Sequence, residues 1–115
     1  MSESCIFCKI LNKEIPSEIV FEDEVSIGFS DRFPVSPTHV LFIPKKHIES
    51  LDKLTEEDSG VVGRIFMNIS KFAREKGLNG DGYRVVNNMG SNGGQTVFHI
   101  HFHLLAGRAH AWPPG

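Results

Sequence analysis

The run Val97-Phe98-His99-Ile100-His101-Phe102-His103-Leu104-Leu105 constrains this chain more than any other stretch. From Phe98 to Leu104 apolar residues alternate with histidine, which is the period of a β-strand. The alternation predicts a strand over Val97–Leu105, with His99, His101 and His103 on one face. Phe98, Ile100, Phe102 and Leu104 would form the opposite, core-facing side. Neighbouring imidazoles on such a strand stand roughly 6–7 Å apart. Three of the chain's six histidines are gathered here. A functional site explains that better than a polar strand face. Two chemistries are open: H-x-H on a strand can supply two metal ligands, and neutral imidazole is a nucleophile near pH 7.

The remaining sequence predicts what this strand packs against. Ile6–Leu11 reads as one helical turn, ended by Ile15-Pro16. Ile19–Glu22 and Val25–Phe29 read as a hairpin turning at Asp23-Glu24. Thr38–Pro44 is a third strand and Tyr83–Asn87 a fourth. One long helix is predicted over Thr55–Lys76. Thr55 suits its N-cap, Glu56, Glu57 and Asp58 its first turn, and Gly77 its C-terminal stop. Val61, Val62, Ile65, Phe66, Ile69 and Phe72 give it one apolar face. These elements predict a single α+β domain, 1–115, with a five-stranded, mostly antiparallel sheet. The long helix would cover one face and a short N-terminal helix would accompany it.

Composition narrows the partners. A net charge of -2 gives no footprint for a nucleic-acid backbone. Hydrophobic residues at 40% and charged residues at 23% argue against disorder. No apolar run approaches the ~20 residues a bilayer needs, and MSESCIFCKI does not read as a signal peptide. A cytoplasmic protein is expected. In that reducing compartment Cys5 and Cys8, a C-x-x-C, suit a metal clip or a redox pair better than a structural disulfide. Met89–Gln95 (MGSNGGQ) is a glycine-rich loop just ahead of the histidines. Its backbone amides could cradle a phosphate.

The segment GGQTVFHIHFHLL resembles the signature of the histidine-triad family of nucleotide hydrolases and transferases. The resemblance continues through IFCKILNKEIPSEIVFEDE, PTHVLFIPKKHI and the terminal WPPG, so it covers nearly the whole chain. WPPG and PKKHI are similar to the branch of histidine-triad nucleotide-binding proteins, which are purine-preferring nucleoside phosphoramidases. The resemblance implies that His101 is the nucleophile on the α-phosphorus of a nucleoside 5'-phosphoramidate. It implies phosphate contacts from His103, Gly94, Gln95 and the hydroxyl of Thr96, with His39 supporting the network. Asp31 would accept from the ribose hydroxyls. Phe7, Ile10 and Leu41 would line the base pocket, and Asn88 would give a polar contact. Arg32 departs from the aliphatic residue usual after that aspartate. It could stack on a base, which leaves base preference open.

Many microbial members of the family pair a C-x-x-C with two histidines. The matching positions are Cys5, Cys8, His47 and His99, which implies a structural zinc and no metal in the reaction itself. The resemblance also implies a homodimer joined through the long helix and its adjacent strand. The tail, with Trp112, would lie near the partner's active site. Two further readings stay open: a dinucleoside polyphosphate hydrolase, with which Thr96 is compatible, and a nucleotide-binding interaction protein with little turnover.

Overall fold

The computed structural model describes residues 4–115. Its elements run α1 (Ile6–Leu11), β1 (Ile19–Glu22), β2 (Ser26–Ser30), β3 (Thr38–Pro44), α2 (Ser59–Glu75), β4 (Tyr83–Val86), α3 (Gly90–Gly93) and β5 (Phe102–Ala106). The five strands form one sheet in the order β1-β2-β3-β5-β4. Every adjacent pair is antiparallel. The expected α+β architecture, one sheet with one long helix and a short N-terminal helix, is the one observed.

Strand alternation divides the sheet into two unlike faces. Val40, Phe42, Phe102 and Leu104 pack under α2 through Ile65, Ile69 and Phe72. Leu41, Ile43, Ile27 and Phe29 point the other way and pack under α1 through Phe7 and Cys8. Burying each large side chain of this kind contributes about 1.5–3 kcal/mol. Gly28 lets the Phe42 ring lie flat on β2, since a Cβ there would stand 3.0 Å from that ring.

Helix α2 begins at Ser59, not at the expected Thr55, which instead caps a 3₁₀ turn over Glu56–Asp58 leading into it. The Asp58 carboxylate accepts the Thr55 N–H at 3.0 Å and its hydroxyl at 3.1 Å. The same carboxylate pairs with Lys46 Nζ at 2.7 Å. Gly77, just past the helix, takes φ +70°. Phe66, assigned by its spacing to the buried face, is instead 47% exposed and meets Phe102 only edge-on. It flanks the stripe that Ile65 and Ile69 centre.

The fifth strand is the main correction. The predicted Val97–Leu105 strand begins only at Phe102 and runs to Ala106. Pairing with β3 ends at Phe42–Phe102. Ahead of it the chain leaves the sheet and bonds elsewhere, Ile100 N–H donating to Ile48 O at 2.6 Å. Phe98, expected in the core, is therefore 55% exposed. Ile100, Phe102 and Leu104 are buried as expected. Smaller shifts occur at strand ends. The second strand is Ser26–Ser30 where Val25–Phe29 was expected, and the fourth stops at Val86 where Asn87 was expected.

Candidate functional site

His99, His101 and His103 keep their alternation even though only His103 lies in the strand, and their roles diverge. His99 is fully buried and His101 nearly so, while His103 is half-buried. Each ring's tautomer follows from its partners, because a carbonyl only accepts and an amide N–H only donates.

His101 Nδ1 lies 2.8 Å from the carbonyl oxygen of His99, so Nδ1 carries the proton. Nε2 is left as a lone pair. Phe7 braces the ring edge-on, with centroids 5.1 Å apart, and Phe29 in turn braces Phe7. Asn87 Nδ2 donates to the His101 carbonyl at 2.9 Å. Among the described residues Asn87 Oδ1 is the one buried side-chain oxygen or nitrogen without a partner. Asn88, the expected polar contact to the nucleotide, is half-buried, and nothing in the motif singles out Asn87 beside it. The only available signal was its position directly after β4, the neighbour of the histidine strand.

His103 and His39 face each other diagonally across β5 and β3. Val35 N–H donates to His39 Nδ1 at 3.1 Å, so His39 carries its proton on Nε2. That proton points at His103 Nδ1, 2.8 Å away. His103 then presents an N–H from Nε2. Asp31 Oδ2 lies 3.4 Å from His39 Nε2, and Asp31 Oδ1 accepts the Phe33 N–H at 2.8 Å. The cluster Asp31, His39 and His103 brings three potential ligand atoms together. Its tautomers oppose a metal there, because a metal on His39 Nε2 would force the ring proton against the Val35 N–H.

Burial keeps all four of these rings neutral near pH 7. Desolvation pushes His99 and His103 down to about 4, helped at both by like-charge neighbours. It also lowers His101, against the bond to the His99 carbonyl and the Asp31 charge. His39 is lowered as well, burial outweighing the nearby Asp31 carboxylate. Neutral imidazole is the form that attacks phosphorus or binds a metal.

The remaining nitrogen of His99 belongs to a second cluster. Its Nε2 donates to Pro44 O at 2.9 Å, so Nδ1 is a bare lone pair. Nδ1 lies 3.4 Å from Cys5 Sγ, 3.6 Å from Cys8 Sγ and 3.2 Å from His47 Nδ1, and Cys8 Sγ lies 3.3 Å from that His47 nitrogen. Bonds of about 2.0–2.3 Å to a tetrahedral ion give ligand–ligand edges of roughly 3.3–3.8 Å. The observed separations match those edges. Cys5 also caps α1 and accepts the Cys8 N–H at 3.3 Å, which orients the C-x-x-C. The carbonyl on His99 Nε2 is the usual outer partner of a ligating histidine. Cys5, Cys8, His47 and His99 are the four positions expected to share a metal, and the fold brings them together.

The other expected contacts are more scattered. Leu41 sits opposite His103 in the strand register and is buried, and Ile10 is half-buried beside the α1 cluster. Arg32, Gly94 and Thr96 are exposed. Gly94 takes φ +79°, a conformation that suits glycine. Gln95 is buried, and its side chain serves the protein. Oε1 accepts the Gly90 N–H, and Nε2 donates to Glu49 O and Val97 O. It closes the glycine loop ahead of the histidines. The tail begins against its own chain, with Arg84 donating to Ala111 O at 2.9 Å, and Trp112 beyond is 82% exposed. No helix of the described residues is long and apolar enough to cross a membrane.

Comparison with known proteins extends this geometry. A HIT-like protein of Synechococcus elongatus is 47% identical over 115 residues, which span both chains completely. Among solved structures, a HIT family hydrolase from Legionella pneumophila superposes with a TM-score of 0.95 at 48% identity. That match covers 97% of this chain and all of the other. A histidine triad nucleotide-binding protein from Candida albicans superposes with a TM-score of 0.82 at 34% identity, over 96% and 83% of the two chains. The HIT domain family itself matches residues 12–110, so the chain belongs to the HIT family.

Proposed function

We propose that this chain is a nucleotide hydrolase that cleaves the P–N bond of purine nucleoside 5'-phosphoramidates through a nucleotidyl-His101 intermediate. The observation that carries the reading is the bond from His101 Nδ1–H to the His99 carbonyl, which leaves Nε2 unprotonated and fixed in direction. That lone pair attacks the α-phosphorus. The P–N bond breaks, its electron pair goes to nitrogen, and the amine leaves after taking a proton from solvent. The positive charge that develops on His101 is stabilised by the carbonyl at Nδ1. Water then attacks phosphorus, the P–N bond to His101 breaks, and the nucleoside monophosphate is released. Splitting one displacement into two is the gain from covalent catalysis.

His103 donates from Nε2 to a phosphoryl oxygen in this scheme, joined by the Thr96 hydroxyl, while the Gly94 N–H, expected to join them, already donates to Ser91 O at 3.1 Å. Such donors matter because phosphoryl transfer rests mainly on positioning and charge stabilisation. Phe7, Ile10 and Leu41 serve the base, with Arg32 above it and Asn88 at the edge. Asp31 accepts from the ribose. Zinc on Cys5, Cys8, His47 and His99 ties α1 to the strand ends and takes no part in the reaction. The exposed Phe66 and Met67 on α2 and the half-exposed Tyr83 on β4 are the surface for a two-fold dimer. The relatives named HIT family hydrolase and nucleotide-binding protein support the substrate class. Steady-state assays on adenosine phosphoramidate, guanosine phosphoramidate and a dinucleoside polyphosphate, side by side, test the reading. The phosphoramidates should give the highest kcat/KM. Faster turnover of the dinucleotide, or none of any, would overturn it.

A further inference from the structure

The segment Gly107–His110 crosses the loop that leads into β3 and touches it at three points. Arg108 Nε donates to the Val35 carbonyl at 3.1 Å. Ser36 Oγ lies 3.2 Å from His110 Nε2. Gly107, at φ +95°, lies so close that a Cβ there would stand 2.7 Å from Pro37 Cβ. The crossed loop is poor in buried apolar surface, since Arg32, Phe33, Pro34 and Val35 are all exposed. Polar contacts must therefore hold it. Val35 is held at both ends: its carbonyl accepts from Arg108, and its N–H donates to His39 Nδ1.

We propose that Arg108 is a positioning residue for the histidine site, acting through Val35 to select the tautomer of His39 and hence of His103. The chain of consequence is short. With Val35 N–H on His39 Nδ1, the His39 proton sits on Nε2 and points at His103 Nδ1. His103 must then carry its own proton on Nε2, facing the site as a donor. If the Val35 N–H drifts away, His39 is free to hold its proton on Nδ1. Its Nε2 becomes an acceptor for a His103 Nδ1–H, and His103 Nε2 becomes a bare lone pair. A lone pair repels the phosphoryl oxygen that an N–H would bind. One surface arginine thereby sets whether His103 attracts or repels phosphate. The inference rests on the reading of His103 as a phosphate donor. Arg108 is itself exposed, so its loss should cost little stability.

The test uses the full-length protein labelled with ¹⁵N, and long-range ¹H–¹⁵N spectra of the His39 and His103 rings without substrate. In the wild type His39 and His103 should both show protonated Nε2 and bare Nδ1. Arg108→Ala should move a large fraction of both rings to the opposite tautomer. It should also lower kcat about tenfold on the best nucleotide substrate, with the melting temperature nearly unchanged. Arg108→Gln places an amide N–H at the same bond distance from the backbone as the arginine Nε, so it should restore the wild-type tautomer. An Arg108→Ala protein with wild-type ring spectra overturns the proposal. So does an Arg108→Gln protein that behaves like Arg108→Ala, because charge would then be the agent. The spectra need no substrate, so inactivity of the wild type on every nucleotide sinks the hydrolase reading and with it the phosphate role of His103, while the ring spectra still decide whether Arg108 selects the two tautomers.

Discussion

The His101 ring and the His99 carbonyl, 2.8 Å apart, join the two halves of this site. The peptide oxygen of His99 orients the His101 ring, while the side chain of His99 faces Cys5, Cys8 and His47. A metal that fixes the His99 side chain also fixes the backbone on which His101 depends. A metal held by the Cys5, Cys8, His47 and His99 cluster would thus be mechanically coupled to the proposed nucleophile through one peptide unit.

In the proposed mechanism His101→Ala removes the attacking lone pair and the covalent route with it. Its kcat should fall by several powers of ten, while binding of the nucleoside monophosphate persists. Rapid-quench mass spectrometry of the wild type should find the nucleotidyl group on His101. Finding it on His103 would reverse the assignment of roles.

Metal analysis of protein purified without chelators should give about one zinc per chain. Binding energy at such a site is folding energy. Cys8→Ser should therefore lower both zinc content and the melting temperature, with His101 chemistry largely retained. Full occupancy in that variant would rule out the four-ligand site.

Acid should destabilise the fold in a defined window. The folded state holds His103 at about 4, against an ordinary 6.5, because burial disfavours its charged form. Between those two values the unfolded chain takes up a proton that the folded ring refuses. Stability from this source is complete above pH 6.5 and declines as pH falls toward 4. Melting temperatures measured across that range should drop less steeply for His103→Gln than for the wild type. Equal slopes would place the acid-sensitive group elsewhere.

Sedimentation of the intact protein should report roughly 26 kDa, twice the 12.8 kDa of one chain. Deleting Trp112–Gly115 should change kcat/KM or leaving-group selectivity far more than stability. The basis is that Trp112 is 82% exposed on its own subunit. A monomer at micromolar concentration, or a truncated protein with unchanged kinetics on every substrate, would refute the crossed-over tail.

Sequence alone determined most of the local structure, because local structure follows from local chemistry. Ile6–Leu11, Ile19–Glu22 and Thr38–Pro44 form their elements at the predicted bounds. The acidic turn after Thr55 and the apolar stripe of α2 were legible from capping and period. The grouping of Cys5, Cys8, His47 and His99 was legible as well, through a family pattern. Tertiary structure decided what depends on residues distant in the chain. The alternation of Val97–Leu105 reads as strand throughout, yet β3 pairs with it only from Phe102, and Phe98 turns to solvent. Asn87, not distinguishable from Asn88 in sequence, meets the His101 carbonyl only because β4 and β5 are neighbours. The division of labour among three equivalent-looking histidines is likewise tertiary. Val35, Pro44 and His99 each contribute a backbone group that assigns one ring proton. A proton's position depends on the partner across the gap, and the fold alone supplies that partner.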